Sequence, residues 1–236
     1  MADSPQLAPP TEEEILSYLF PKDMSCPVCD MHFMEFMLKK SKLRAVSVET
    51  DFRTIYKDID PNHYDVVFCT HCGYASLHSY FDKITERQQK MIRESISTNF
   101  VPLEFHMPLT IEQVIKRFKQ ALLCANVINA KASQKAFINL KMAWVLRGTP
   151  HKDIELKFTR DAYEGFKEAY GAERLPLGTM DEHHAKYLIA DLARRLGEMG
   201  EAMRWVGDII VARGIPDSLK EKASLLKDMV REGKRT

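Results

Sequence analysis

The chain has 236 residues, 45% hydrophobic and 28% charged, the balance of an ordinary globular protein. A disordered, collagen-like or low-complexity chain is excluded, and the length allows one large domain or two small ones at roughly 100–200 residues each. A net charge of +1 provides no global field toward nucleic acid or anionic lipid, and only 10 glycines favour helices over a turn-rich β fold.

From the start, Met1 to Glu14 holds three prolines and four acids, with no Lys, Arg or apolar h-region. It reads as a flexible tail rather than a secretory signal, and residues 1–20 are expected to be tail and lead-in. No stretch approaches the ~18 apolar residues of a membrane span. Five cysteines in an unsignalled chain argue for a reducing compartment. The expectation is a cytoplasmic protein with no membrane partner.

Residues 21–82 form the next regime, with four of the five cysteines and short β-like runs. Met31 to Lys39, Lys42 to Glu49 and Tyr64 to Phe68 are the candidate strands, the last entered from the turn Asp60-Pro61-Asn62. A β unit of about 60 residues usually needs a staple.

From residue 83 the period becomes helical. Helices are expected over 85–97, 110–129, 131–147, 153–170, 181–199, 201–213 and 217–232, separated by Gly and Pro. Thr179 with Glu182 fits a capping box, and Asp217 is placed to cap the last helix. Short connections make consecutive helices antiparallel neighbours. Gly197, Ala202, Val206 and Ile209, with Ile189, Ala190 and Ala193 before them, have the spacing of a tetratricopeptide helix pair. Ala162, Phe166 and Ala169 repeat part of it, with Trp144 and Arg147 on the partner helix. The alternative is an irregular bundle with alanine contacts. The fold class is therefore α+β, mostly α: a zinc-ribbon-like unit over 21–82, then a tetratricopeptide-like array over 83–236.

Cys26-Pro27-Val28-Cys29 and Cys69-Thr70-His71-Cys72-Gly73 form two C-x2-C pairs with 39 residues between the inner cysteines. Each pair can fold into a knuckle that points two thiolates at one ion, so Cys26, Cys29, Cys69 and Cys72 are read as the ligands of one structural Zn2+. Pro27 presets φ in the first turn, and Gly73 can take a left-handed conformation. Asp30 holds that slot in the first pair. A redox pair would need only one C-x2-C in a βαβ unit, which is missing here. A catalytic zinc would keep an open position, whereas four thiolates fill the shell. His71 and His32 lie close enough in sequence to substitute. Cys124, among Leu122, Leu123 and Ala125, reads as a buried small hydrophobe.

These residues resemble a family. Cys26-Pro27-Val28-Cys29, Asp51, Tyr56, Asp60-Pro61, His63 to Val66 and Cys69 to Ala75 look like the bacterial family catalogued as domain of unknown function 2225. The resemblance covers about residues 21 to 213 and implies a zinc-ribbon-like part joined to tetratricopeptide-like helices. It brings no activity, substrate or catalytic residue. Asp30, where members often have Gly, is a departure.

The remaining candidates are weighed against plainer accounts. Met31, Met34 and Met37 suggest soft-metal ligands, but adaptable core packing explains them better. His183-His184 cannot share a helix face as zinc-binding His-Glu-x-x-His residues do, and they read as solvated first-turn residues. Lys39, Lys40, Lys42 and Arg44 form a basic cluster, yet residues 22–82 hold 7 Lys+Arg against 9 Asp+Glu, which suits nucleic acid poorly. Asp51, Arg53, Tyr56, Asp58, Asp60 and His63 concentrate titratable groups in the loop between knuckles. They are a possible functional loop, although no nucleophile–base–orienter set is visible and no catalytic residue is assigned.

The reading favoured by the sequence is a zinc-binding protein-interaction scaffold. A protein or peptide partner is expected on a concave helical face that includes Trp144, Arg147, Arg194 and Arg195. A nucleic-acid-binding ribbon is the first alternative, and an enzyme using the 51–63 loop the second.

Overall fold

A computed structural model describes residues 10–233. The chain is α+β and mostly α, with small antiparallel strand pairs followed by a helical array. It packs as two compact units. The first comprises residues up to Ser47 together with Thr54–Gln120, and the second comprises Val48–Arg53 together with Ala121 onward. The expected boundary at 82/83 thus moves to 120, and a short turn passes from the β unit to the helical one.

The first unit begins with α1 (Glu12–Ser17), so the expected tail is helical where it is described; residues 1–9 lie outside the described residues. Thr11 and Glu14 form a reciprocal capping box, and three glutamates in the first turn complement the helix dipole. β1 (Leu19–Ser25) then pairs antiparallel with β2 (His32–Leu38), in a register from Leu19 opposite Leu38 to Ser25 opposite His32. β3 (Ala45–Val48) pairs with β4 (Thr54–Tyr56), and β5 (Val66–Phe68) with β6 (Ala75–Leu77). Phe33 and Glu35 alternate inward on β2, while Met31 and Met34 are exposed rather than core-packed as expected. The strand pleat fixes that alternation.

Three hairpins bury too little apolar surface to stand alone. α2 (Glu86–Ser95) and the first turns of α3 (Ile111–Val127) supply the remainder, burying Ile92, Val114 and Phe118 in the same unit. This need is why the boundary lies beyond residue 83.

The second unit contains α4 (Ala132–Leu146), α5 (Lys152–Ala172), α6 (Glu182–Arg195), α7 (Met199–Val211) and α8 (Asp217–Arg231). Each falls within a few residues of its expected span. Two caps differ. Asp181, not Thr179, caps α6 by accepting from the His184 amide at 2.9 Å, because Leu177 and Met180 close a separate turn first. Asp217 is the first helical residue of α8, with Pro216 at the cap position and no side-chain cap bond.

The small-residue pattern marks the close contacts. Ala162, Phe166, Ala169, Ile189, Ala193, Ala202, Val206 and Ile209 are all fully buried. Gly197 takes φ 82° between α6 and α7. There the Glu198 amide donates to the Ala193 carbonyl and the Gly197 amide to that of Arg194, a Schellman closure. Gly165 lets α5 approach α4 closely: a Cβ there would lie 3.0 Å from that of Ala136.

Candidate metal centre and the acidic turn

Each cysteine pair sits at the tip of its own hairpin. At the first, between β1 and β2, the Cys26 amide donates to Met31 O and the Asp30 amide to Cys26 O. At the second, between β5 and β6, Cys69 N donates to Tyr74 O and Gly73 N to Cys69 O. The two knuckles therefore share one hydrogen-bond pattern. The residue after each pair is left-handed, at φ 59° for Asp30 and φ 75° for Gly73. Asp in the glycine slot departs in identity but not in conformation, since Asp tolerates this region better than most side chains.

The four sulfurs converge. Cys26 and Cys72 Sγ lie 3.6 Å apart, Cys29 and Cys69 Sγ 3.7 Å, and all four within 4.8 Å of one another. A tetrahedron with metal–sulfur bonds of ~2.3 Å has edges of about 3.8 Å, so the spacing fits one bound ion. The close sulfurs also perturb one another's ionisation. The contact between Cys26 and Cys69 raises the first thiol and lowers the second, and the contact with Cys26 also raises Cys72. Neighbouring sulfurs cannot all ionise together without a cation among them.

The surrounding side chains hold the knuckles rather than join them. The Val28 amide points at Cys26 Sγ, at 3.4 Å. Arg93 on α2 donates to the Val28 carbonyl at 2.7 Å, and Gln120 on α3 to the Gly73 carbonyl at 2.7 Å. The Phe100 ring lies against Gly73, where a Cβ would approach to 2.4 Å. His71 instead contacts the His32 carbonyl at 3.1 Å, and His32 pairs with Asp23. Neither histidine is drawn into the sulfur cluster. Cys124 is buried on α3.

One feature of this unit escapes sequence reading. Glu35, facing inward on β2, accepts from Arg117 at 2.6 Å and from the Phe68 amide at 3.1 Å, one residue before Cys69. Arg117 also donates to the Val66 carbonyl and lies over the Phe105 ring at 5.1 Å. A charged residue alternating with Phe33 on a buried face was the available signal.

In the second unit, the turn 48–53 gathers several of the other candidate residues. Asp51 is fully buried, accepting from Trp144 Nε1 at 2.8 Å and from Arg147 at 2.7 and 3.2 Å, with Arg195 at 3.6 Å. Burial pushes its pKa up, but the charges of Arg195 and Arg147, with hydrogen bonds from Arg147 and Trp144, outweigh this and hold it below the usual carboxylate range. Arg147 also binds Glu49 and Glu155. Thr50 donates to Asp191 at 2.8 Å and accepts from Arg195 at 3.0 Å. Arg194 is fully buried on Asp191. Phe52, at φ 68°, stacks near Tyr187 and His184.

At least one of Arg194 and Arg195 was expected on a concave face or in solvent. Both instead point inward at Asp191, because a buried carboxylate three and four residues earlier draws them in. Trp144 and Arg147 likewise face the acidic turn. Arg53 contributes its amide to Asp51 at 3.4 Å. Tyr56 on β4 and His63 in the 61–64 turn belong to the first unit, so the 51–63 stretch is divided between two units.

A mostly helical α+β protein with a buried four-cysteine centre is the class these features define. The chain belongs to the family described as "Uncharacterized protein conserved in bacteria (DUF2225)", which matches residues 19–236. No curated protein and no solved structure matches it. Among the described residues, no helix is long and apolar enough to cross a membrane.

Proposed function

We propose that this protein is a zinc-stapled interaction scaffold, with one structural Zn2+ on Cys26, Cys29, Cys69 and Cys72. The observation that carries the reading is the convergence of four sulfurs within 4.8 Å. Four soft ligands in a closed shell favour zinc and leave no open position for substrate. The metal supplies the first unit with cohesion that its hairpins lack. The helical unit is the partner-binding part, and the side chains expected to recognise a partner are engaged instead by residues 49–51. A partner is therefore met by other surfaces. The apolar cleft of about 220 Å³ whose lining includes Val48, Leu225 and Met229 is one such surface, with Val48 and Leu225 exposed at its edge.

The alternatives have less support. Asp51 has its acceptor capacity filled by Trp144 and Arg147, which suits a structural anion better than a catalytic base. In the basic cluster, Lys39 and Lys42 both donate to the Ser17 carbonyl and Arg44 to those of Ser41 and Leu43. Those groups are partly spent on their own backbone.

Metal analysis of tag-free protein tests the staple, and about one zinc per chain is expected. Affinity capture from the native cell, repeated with Leu225→Asp, tests the scaffold. A protein that co-purifies with the wild type and is lost with the variant supports it. Zinc-free, fully folded protein would overturn the first half, and capture indifferent to Leu225 the choice of surface.

A further inference from the structure

A second cavity, of about 350 Å³, lies wholly within the helical unit, between the acidic turn, α4 and the start of α6. Its walls are apolar and aromatic, with Phe52, Phe137, Leu140, Trp144 and Leu188 among them. Its size and lining match those of small-molecule sites, which are concave and mostly apolar with a few convergent polar groups. No lysine or arginine lines it, whereas Asp51 and Asp181 both do.

The two carboxylates differ in what they still offer. Asp51 is saturated by Trp144 and Arg147 and forms a closed floor. Asp181 stands at the mouth with 59% of its side chain exposed; it accepts from the His183 and His184 amides and contacts His184 Nδ1 through Oδ1. The Nδ1 contact, at 2.8 Å, sets the imidazole against the carboxylate. The Phe52 ring lies 5.8 Å from that of His184.

The mouth thus presents a carboxylate beside an apolar chamber. An anionic head group would meet Asp181 with no lysine or arginine in the lining to offset it, and a neutral molecule would make no use of the carboxylate. An ammonium group donates to the carboxylate and neutralises it. Lys141 already lies over Trp144, at 5.6 Å from the ring centroid, so the indole receives the ligand's body rather than its charge. We infer that this cavity binds a small amphipathic amine, with the apolar body against Trp144 and Phe52 and the ammonium at Asp181. The inference stands apart from the scaffold reading, since it needs neither zinc nor a protein partner.

The test uses three probes of one shape: 2-phenylethylamine, 2-phenylethanol and 3-phenylpropionate. The chain has two tryptophans, so Trp205→Phe leaves Trp144 as the sole fluorescent reporter in the cavity wall. The amine is expected to bind about fivefold to tenfold more tightly than the alcohol, and the carboxylate more weakly than either. That is the range of a charge-assisted hydrogen bond discounted for an exposed partner. Asp181→Asn keeps the cap on α6, because Asn caps as well as Asp. It should bring the amine to the level of the alcohol while the melting temperature holds. Calorimetry on the unsubstituted chain repeats the ranking should Trp205→Phe disturb the fold. Equal affinity for the three probes, no saturable binding of any, or amine binding unchanged by Asp181→Asn would each overturn the proposal.

Discussion

The two units of this chain gather charge in opposite ways. In the first, four thiols from two hairpin tips converge, and on the proposed reading they are joined by an ion that the chain does not encode. In the second, Glu49, Asp51 and Asp191 are met by Arg147, Arg194 and Arg195, so the neutralising charges are covalently part of the fold. The difference teaches where each unit is vulnerable. On that reading the hairpin unit loses its staple to a chelator, whereas the helical unit loses its own only by substitution or acid. Glu35 with Arg117 qualifies the contrast, because it gives the first unit a small covalently encoded pair of the second kind.

The largest effect separates the two strategies. Cys69→Ser, or a strong chelator, should remove the metal and unfold the first unit, through Gln120 rather than only through residue 82. Structural zinc sites contribute on the order of 10 kcal/mol of binding free energy that is also folding free energy. Hydrogen exchange should then show protection lost in β1, β2, β5, β6 and α2, and kept in α4 to α7. Loss spread evenly over both units would erase the distinction. Next in size, Arg147→Ala should leave Asp51 buried without its main partner and cost about 3–5 kcal/mol, read by denaturant unfolding, with the metal content unchanged. Ala202→Leu, at the tight contact of α7, should cost roughly 1–3 kcal/mol by overpacking.

Acid sharpens the contrast further. Asp51 has its folded pKa depressed below the unfolded value of about 3.9, so its contribution is present above that pH and lost as pH falls through the folded value. The stability gap between the wild type and Asp51→Asn should therefore be widest near neutral pH and narrow below about pH 4. Thermal melts followed through Trp144 fluorescence would measure it, and a gap that widens with acid would contradict the assignment. The smallest effect compares the knuckles with each other. Asp30→Gly should relieve a left-handed Asp and stabilise by at most about 1 kcal/mol, whereas Gly73→Ala should destabilise because its Cβ would collide with Phe100.

The parts of this architecture visible in the sequence are those whose physics is local. Cysteines three apart in sequence can share a knuckle, and a 3.6-residue period announces α3 to α8 before any contact is known. Ala202 and Ala193 reveal a close approach because small size has few other purposes in a helix. The strands β1, β4 and β6 were not visible, since three to seven residues of mixed polarity carry little period of their own. The arginines misled for a definite reason. A charge on a helix reads as solvent-facing, but Arg194 is buried where Asp191 lies one turn before it and Thr50 arrives from 144 residues away. Asp51 stood out as a titratable group in a loop, but its partners Trp144 and Arg147 were picked for a different task.

The separation between Asp51 and Arg147, 96 residues, also sets an order of events during synthesis. At about 5–20 residues per second, the ribosome needs roughly 5–20 s after making the acidic turn before it makes the first guanidinium that neutralises it. Cys72 follows Cys26 by only 46 residues, so all the thiols are available to metal well before the turn has a receptor. A nascent chain therefore passes through a stage in which the ribbon is able to close while Phe52 and Asp51 stay uncovered. A truncated chain halted near residue 125 would hold that stage indefinitely.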